Sequence, residues 1–231
     1  IKRVLTLDRH SEASEAVYGD LYQQDPVGVL FNLDPIPIFV NYLKNSGIEI
    51  RDGGGNIVLV GPDCNAGKSI DRFYELSGLP NISRVYCKKD REVPNDAEMV
   101  KASVDRTSDN FEGIKDKTLI AIDDKADTLG TLEKALVQED LTSDGKPKQI
   151  HAFITHMIMP TVEAYKKVQI HRLNLHGSNS HPNMAFKKDE PGVGNITVID
   201  FTPYFAWALV NHVLPGKPIP EVTLDNLGDF I

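Results

Sequence analysis

Residues 118–132 read TLIAIDDKADTLGTL. Thr118 to Ile122 is a nearly unbroken apolar run, which predicts a strand covered on both faces, as in a parallel sheet packed between helices. Two acids, Asp123 and Asp124, end the run. A polar turn follows, bearing Asp127, Thr128, Gly130 and Thr131, and a helix is expected from Leu129 through Leu136. In an α/β protein, a loop after the carboxyl end of a parallel strand faces the crevice where ligands bind. Backbone N–H groups of the turn and the helix start can hold a phosphate, and the hydroxyls of Thr128 and Thr131 add donors. The two acids would repel a phosphate, so they suit ribose hydroxyls or Mg2+. The plainer reading is a strand that ends in an acidic helix cap. The convergence of acids, hydroxyls and a glycine in one turn favours a ligand site.

The same alternation extends in both directions. Strands are expected at 3–8, 56–61, 84–87, 150–155, 169–175 and 196–200. Helices are expected from Asp34-Pro35 to Gly47, from Lys68 to Ser77, from Thr161 to Lys167 and from Pro203 to Val213. The segments 88–117, 140–149 and 176–195 read as long loops, and a boundary is expected near the glycine run 51–55. The fold class is therefore α/β with a mainly parallel sheet. A chain of 231 residues can bury a substantial core, and no apolar stretch is long enough to span a bilayer. The net charge of −8 argues against broad nucleic-acid binding. The two cysteines, Cys64 and Cys87, have no metal-type spacing, and a reducing cytoplasm fits them. The chain opens at Ile1, without Met, on the apolar run Val4–Leu7. A preceding segment is therefore expected.

Three further stretches carry chemistry. In NIVLVGPDCNAGKSIDRF (56–73) a strand runs into a turn and a helix, with Asp63 at the strand end and Lys68 at the helix start. A P-loop needs four residues between its first glycine and Gly-Lys-Ser. Here five separate Gly61 from Gly67-Lys68-Ser69, and Pro62 has no N–H to donate. A P-loop NTPase stays an alternative, with 118–124 as its acidic strand, but it leaves DTLGT without a role. In RVLTLDRH (3–10), Asp8 and His10 project to one side of extended chain and could ligate a divalent metal, although such a pair is more often structural. Lys88-Lys89-Asp90-Arg91 places three cations on a long loop of an acidic chain. They could close over a polyphosphate, or could simply be solvated.

RVLTLDRHS, VLVGPD…GK, the KDR stretch, IAIDDKADTLGT and ITVIDFTPYFAWAL…PGKPI occur in the order found in ribose-phosphate pyrophosphokinases, and the sequence resembles that family over nearly its whole length. The resemblance implies a type I phosphoribosyltransferase-like fold with helices on both faces of a parallel sheet. It implies that 1–50 ends an N-terminal domain and that 51–231 forms a C-terminal domain of the same kind. The implied reaction moves pyrophosphate from ATP to ribose 5-phosphate with Mg2+. Carried over by position, Asp123, Asp124, Asp127, Thr128, Gly130 and Thr131 would hold ribose 5-phosphate. Asp8, His10 and Asp63 would handle the metal, and His10, Asp63 and Lys68 the ATP and pyrophosphate. Lys89 and Arg91 would be catalytic, with Lys88 taking the place of Lys89 if no gap is placed. A cytoplasmic homo-oligomer, dimer or hexamer, is implied, with no nucleic-acid or membrane partner.

The sequence departs from the family pattern at Cys64-Asn65-Ala66, where glycines are expected, and at Leu129, where a small residue is usual. It departs again at Met157, where a glycine is expected. A non-catalytic relative that binds ribose phosphate or nucleotide, and a phosphoribosyltransferase proper, are the other readings. Asp8, His10 and the KDR stretch speak for the pyrophosphokinase over the transferase.

Overall fold

The computed structural model describes residues 3–9, 17, 30–63, 66–91, 100–137, 139–159, 161–182 and 195–213, with the backbone alone at 89–91, 100–101, 137 and 139–140. The chain divides into two compact units, Ser46–Ile199 and the pairing of Ile1–Asn45 with Asp200–Ile231.

The larger unit is built on a seven-stranded sheet. Its strands are β3 (Ile57–Gly61), β4 (Ser83–Arg91), β5 (Val100–Thr107), β6 (Thr118–Ala126), β7 (Gln149–Met157), β8 (Leu173–Ser178) and β9 (Asn195–Ile199), in the order β5-β4-β3-β6-β7-β8-β9. Every neighbouring pair is parallel except β4–β5. The crossover helices are α2 (Gly67–Ser77), α3 (Gly130–Val137), the short α4 (Glu139–Thr142) and α5 (Val162–Ile170). Side chains alternate along each strand, so each inner strand feeds two cores. Val58, Val60, Leu119, Ala121, Ala152 and Ile154 pack in one cluster with Leu132, Ala135, Ala164 and Val168 of α3 and α5. Phe153 points the other way and meets Phe73 of α2, with ring centroids 5.9 Å apart. All these side chains are buried, which is why the strands read as continuous apolar runs.

The connections fix where a ligand can sit. From β3 the chain crosses through α2 to β4 on one side, whereas β6 and the strands after it extend on the other. The strand order therefore reverses between β3 and β6. The crevice outside their carboxyl ends is the topological switch point, the usual ligand position in open α/β sheets.

In the smaller unit, β1 (Val4–Leu7) pairs in parallel with β2 (Leu30–Leu33), and α1 (Ile36–Asn45) follows. Asp34 starts α1 as expected, its Oδ1 accepting the Ile36 N–H at 2.9 Å. Phe39 of α1 packs edge-on against Phe201, just before α6 (Thr202–Ala208). A π-helical turn, Leu209–Val213, continues α6. There Arg3 donates to the carbonyl of His212, whose ring stacks on Phe31 at 4.7 Å.

Several expectations need correction. The loop expected over 88–117 is largely an antiparallel strand pair, because β4 runs on to Arg91 and β5 returns from Val100. Val100, Ala102 and Val104 alternate with polar residues there, but an edge strand this polar gives a weak signal. The strand expected over 169–175 begins only at Leu173. Ala164 and Val168 keep α5 helical through Ile170, and Arg172 then turns the chain at φ 50°. The loop 140–149 begins inside α4 and docks on the preceding segment, where Asp144 accepts the N–H groups of Ile114 and Lys115, each at 2.9 Å. The glycine run 51–55 is a packed turn. Gly54, at φ 91°, lies where a Cβ would come within 2.5 Å of Ile82, so only glycine fits.

Candidate functional site

The switch point gathers acids. Asp63 stands two residues after β3, and Asp123 and Asp124 lie on the last part of the neighbouring β6. Asp123 is partly buried. Burial, followed by the charges of Asp124 and Asp63, pushes its carboxyl up to about 8. The backbone N–H of Asp124 donates to Asp123 Oδ1 at 3.0 Å and offsets part of this. The charged form of this carboxyl is therefore disfavoured relative to that of an isolated aspartate.

Beyond Asp123 the chain forms an open pocket of about 180 Å3. Asp123, Asp127, Thr128, Gly130 and Thr131 line it, as does Lys125, which sequence reasoning passed over. Lys125 follows Asp123 by two residues and so shares its face of β6, a period-two signal that was available in the sequence. Asp124 falls on the opposite pleat and is not among the lining residues. The turn is shaped by Leu129, which holds φ 59°, the left-handed region that most side chains avoid. That conformation costs about 1–2 kcal/mol for a non-glycine residue. Burying the leucine side chain, 4% exposed in the core cluster, returns about 1.5–3 kcal/mol. The Leu129 carbonyl accepts the first helical bond of α3, from the Glu133 N–H at 2.9 Å. Thr128 Oγ1 accepts weakly from the Gly130 N–H at 3.4 Å. A left-handed residue leading directly into a helix is the backbone pattern of an anion-binding concavity.

On the other side of the crevice, Asp63 closes its own turn. The Ala66 N–H donates to Asp63 Oδ1 at 3.3 Å and to its carbonyl at 3.2 Å. That N–H is one a P-loop would direct at a phosphate, which counts against the P-loop alternative. Lys68 is exposed in the first turn of α2. Lys88 is exposed on β4; Lys89 and Arg91 stand on the same strand, their side chains outside the described residues. Asp8 belongs to the smaller unit, at φ 46° just after β1, with its N–H donating to the Leu33 carbonyl at 3.0 Å. His10, Cys64 and Asn65 lie outside the described residues. Among the described residues no group of three or more His, Cys, Asp or Glu side chains converges closely enough to hold a metal by itself.

The sequence is similar to ribose-phosphate pyrophosphokinases. It is 30% identical over 214 residues to the enzyme so named from Cereibacter sphaeroides, covering 91% of this chain and 54% of that one. It is 28% identical over 211 residues to that of Halalkalibacterium halodurans, covering 90% and 56%. The chain thus spans about half the length of the curated relatives it matches. No protein-family model matches it. The fold is shared with phosphoribosylpyrophosphate synthetase from Mycobacterium smegmatis, at a TM-score of 0.59 and 16% identity, covering 89% of this chain and 56% of that one. The architecture is accordingly the α/β, mostly parallel, type I phosphoribosyltransferase-like fold. Among the described residues no helix is long and apolar enough to cross a membrane.

Proposed function

We propose that this chain is part of a ribose-phosphate pyrophosphokinase that transfers pyrophosphate from ATP to ribose 5-phosphate. The observation that carries the reading is the switch-point crevice. It has acids at the ends of β3 and β6, and a pocket formed by Asp123, Asp127, Thr128, Gly130 and Thr131. The similarity to proteins named for this activity supports the same reading.

In the proposed reaction the anomeric oxygen of ribose 5-phosphate forms a bond to the β-phosphorus of ATP. The bond from that phosphorus to the α–β bridging oxygen breaks. AMP leaves with the bridging oxygen, and the anomeric proton passes to solvent or to a carboxylate. The turn at 127–131 would hold the 5-phosphate through backbone N–H groups and the hydroxyls of Thr128 and Thr131. Asp123 and Asp124 would orient the ribose hydroxyls. Lys89 and Arg91 would offset the charge that builds up as AMP departs, and Lys68 would meet the pyrophosphate.

The charges of Asp63 and Asp124 act on Asp123, and such carboxylates are hard-oxygen groups that could share Mg2+ with the phosphates of a bound nucleotide. Within the larger unit Asp63 would contribute to holding Mg2+, which would neutralise the ATP phosphates; Asp8 and His10 are kept as metal-binding candidates from the sequence alone. A cytoplasmic homo-oligomer, dimeric or hexameric, is part of the same proposal.

The deciding test is AMP release by the full-length protein with ATP, ribose 5-phosphate and Mg2+. Ribose 5-phosphate binding without AMP formation would instead identify a non-catalytic relative. The replacement of expected glycines by Cys64-Asn65-Ala66 is the feature that favours this second reading.

A further inference from the structure

The strand that bears Lys88, Lys89 and Arg91 leaves the sheet at a defined point. β4 pairs with β3 only from Ser83 to Tyr86, because β3 ends at Gly61. Beyond Tyr86, Cys87–Arg91 pairs with β5 alone, and the register shifts between Tyr86 and Cys87. Cys87 is still buried in the core, and beyond it, at about 3.4 Å per residue, the four residues Lys88–Arg91 project about 14 Å as a two-stranded arm. A two-stranded ribbon is marginally stable in water and does not set its own direction.

Tyr86 sits at the base of this arm and is tied to α2 and β5. Its ring carbon lies 3.7 Å from where a Cβ on Gly67 would stand, so the ring rests on the first residue of α2. Its hydroxyl donates to Asp71 Oδ1, four residues further along the same helix face. The same oxygen accepts from Arg84 Nη1 at 3.0 Å, and the Arg84 guanidinium lies 4.2 Å over the ring of Tyr74. From β5, Arg106 pairs in register with Tyr86 and sets its guanidinium 4.1 Å over the Tyr86 ring. Such contacts contribute about 0.5–1 kcal/mol each when exposed and more when desolvated. Together they join α2, whose first turn carries Lys68, to the last point at which the arm touches the sheet.

We propose that Tyr86 and Asp71 form a latch that fixes the direction in which the β4–β5 arm leaves the sheet, and that they are positioning residues for the cations the arm carries. The latch is a claim about the arm. Only its catalytic consequence rests on the pyrophosphokinase reading.

The test uses Tyr86→Phe, Asp71→Ala and Asp71→Asn in the full-length protein, together with the Tyr86→Phe/Asp71→Ala double variant. Amide hydrogen exchange reads the arm directly. Tyr86→Phe and Asp71→Ala should each speed exchange across 87–91 and 100–106 at least tenfold, with β6, β7 and β8 unchanged. The double variant should go no further than either single one, and Asp71→Asn, which keeps an acceptor, should recover most of the protection. Unchanged exchange in the arm, or strictly additive effects, overturns the latch whatever the protein catalyses. If the wild type releases AMP, kcat should fall about tenfold in Tyr86→Phe with KM for both substrates within twofold. Loss in KM alone would assign the pair to substrate binding and overturn the positioning role. If the wild type releases no AMP, the functional reading fails, and hydrogen exchange still decides the latch.

Discussion

Asp123→Asn should change how stability depends on pH, and the sign follows from the site. The folded carboxyl is raised to about 8, by burial first and then by Asp124 and Asp63. Unfolded, it titrates near its ordinary value of about 4. Between those two values the native state therefore holds a proton that the unfolded state has released. By linkage, stability falls as pH rises across this window, by up to about 1.4 kcal/mol per pH unit for one proton. The full span would reach several kcal/mol, which is an upper bound because the neighbouring acids can rearrange or share the proton. Asparagine has the same shape and cannot ionise. Taking their difference at pH 4 as the reference, the variant should gain on the wild type steadily from pH 5 to pH 8, and the gap should level off above pH 8. Urea denaturation at each pH, with the midpoint and slope fitted separately, gives the comparison. Two parallel stability–pH curves would refute the reasoning, since they would mean that Asp123 ionises normally in the fold.

In the full-length protein, Asp123→Ala and Asp124→Ala should weaken ribose 5-phosphate binding by calorimetry, with Asp123, which lines the pocket, costing more; unchanged affinity would remove both from the site. Lys89→Ala should lower kcat far more than it alters substrate affinity, and equal losses would assign the lysine to ground-state binding. The buried imidazoles of His151 and His176 are linked Nδ1 to Nε2 at 2.9 Å, and burial pushes them down to about 4 and about 3. Each is neutral in the fold where an unfolded histidine would be protonated, so stability drops as pH falls from about 6.5. His176→Gln should flatten that acid limb in a denaturation series, and an unchanged limb would contradict the assignment. Gly177→Ala would place a Cβ 2.5 Å from Met157 on the adjacent strand and should cost about 1–3 kcal/mol by chemical denaturation.

What could be read from the sequence follows from how each residue is paid in apolar contact. β3, β6 and β7 are buried on both faces, and their runs stand out as strands without further help. The α2 and α3 positions follow from amphipathic spacing and from the turns before them. β5 carries little strand signal because Lys101, Asp105 and Arg106 make it look like loop, and it is an edge strand paired only with β4. The α5–β8 junction was misplaced because the residues of QIHRLNL suit either state locally. The choice is made by Ala164 and Val168 packing on the sheet. The pocket at 127–131 was legible because its chemistry is contiguous in sequence. The Tyr86–Asp71–Arg106 cluster was not, since its members come from three elements and no local pattern joins them.

The departures from the family pattern are compensated locally rather than left as defects. Met157 stands where a glycine was expected, and it is fully buried. It fits because Gly177, across the β7–β8 ladder, has no side chain, so the bulk removed from one strand is present on the other. Leu129 likewise stands where a small residue was expected. It accepts a left-handed backbone and uses its side chain to anchor the turn in the core. A glycine there would adopt the same φ without strain but would leave the turn unanchored, with a larger entropy loss on ordering. Leu129 therefore exchanges backbone strain for rigidity in the turn that lines the pocket. A preorganised turn places N–H groups and hydroxyls before the ligand arrives, which reduces the ordering cost of binding. On this argument the substitution at Leu129 is compatible with a working phosphate site, and the residues that decide between enzyme and non-catalytic relative are those after Asp63.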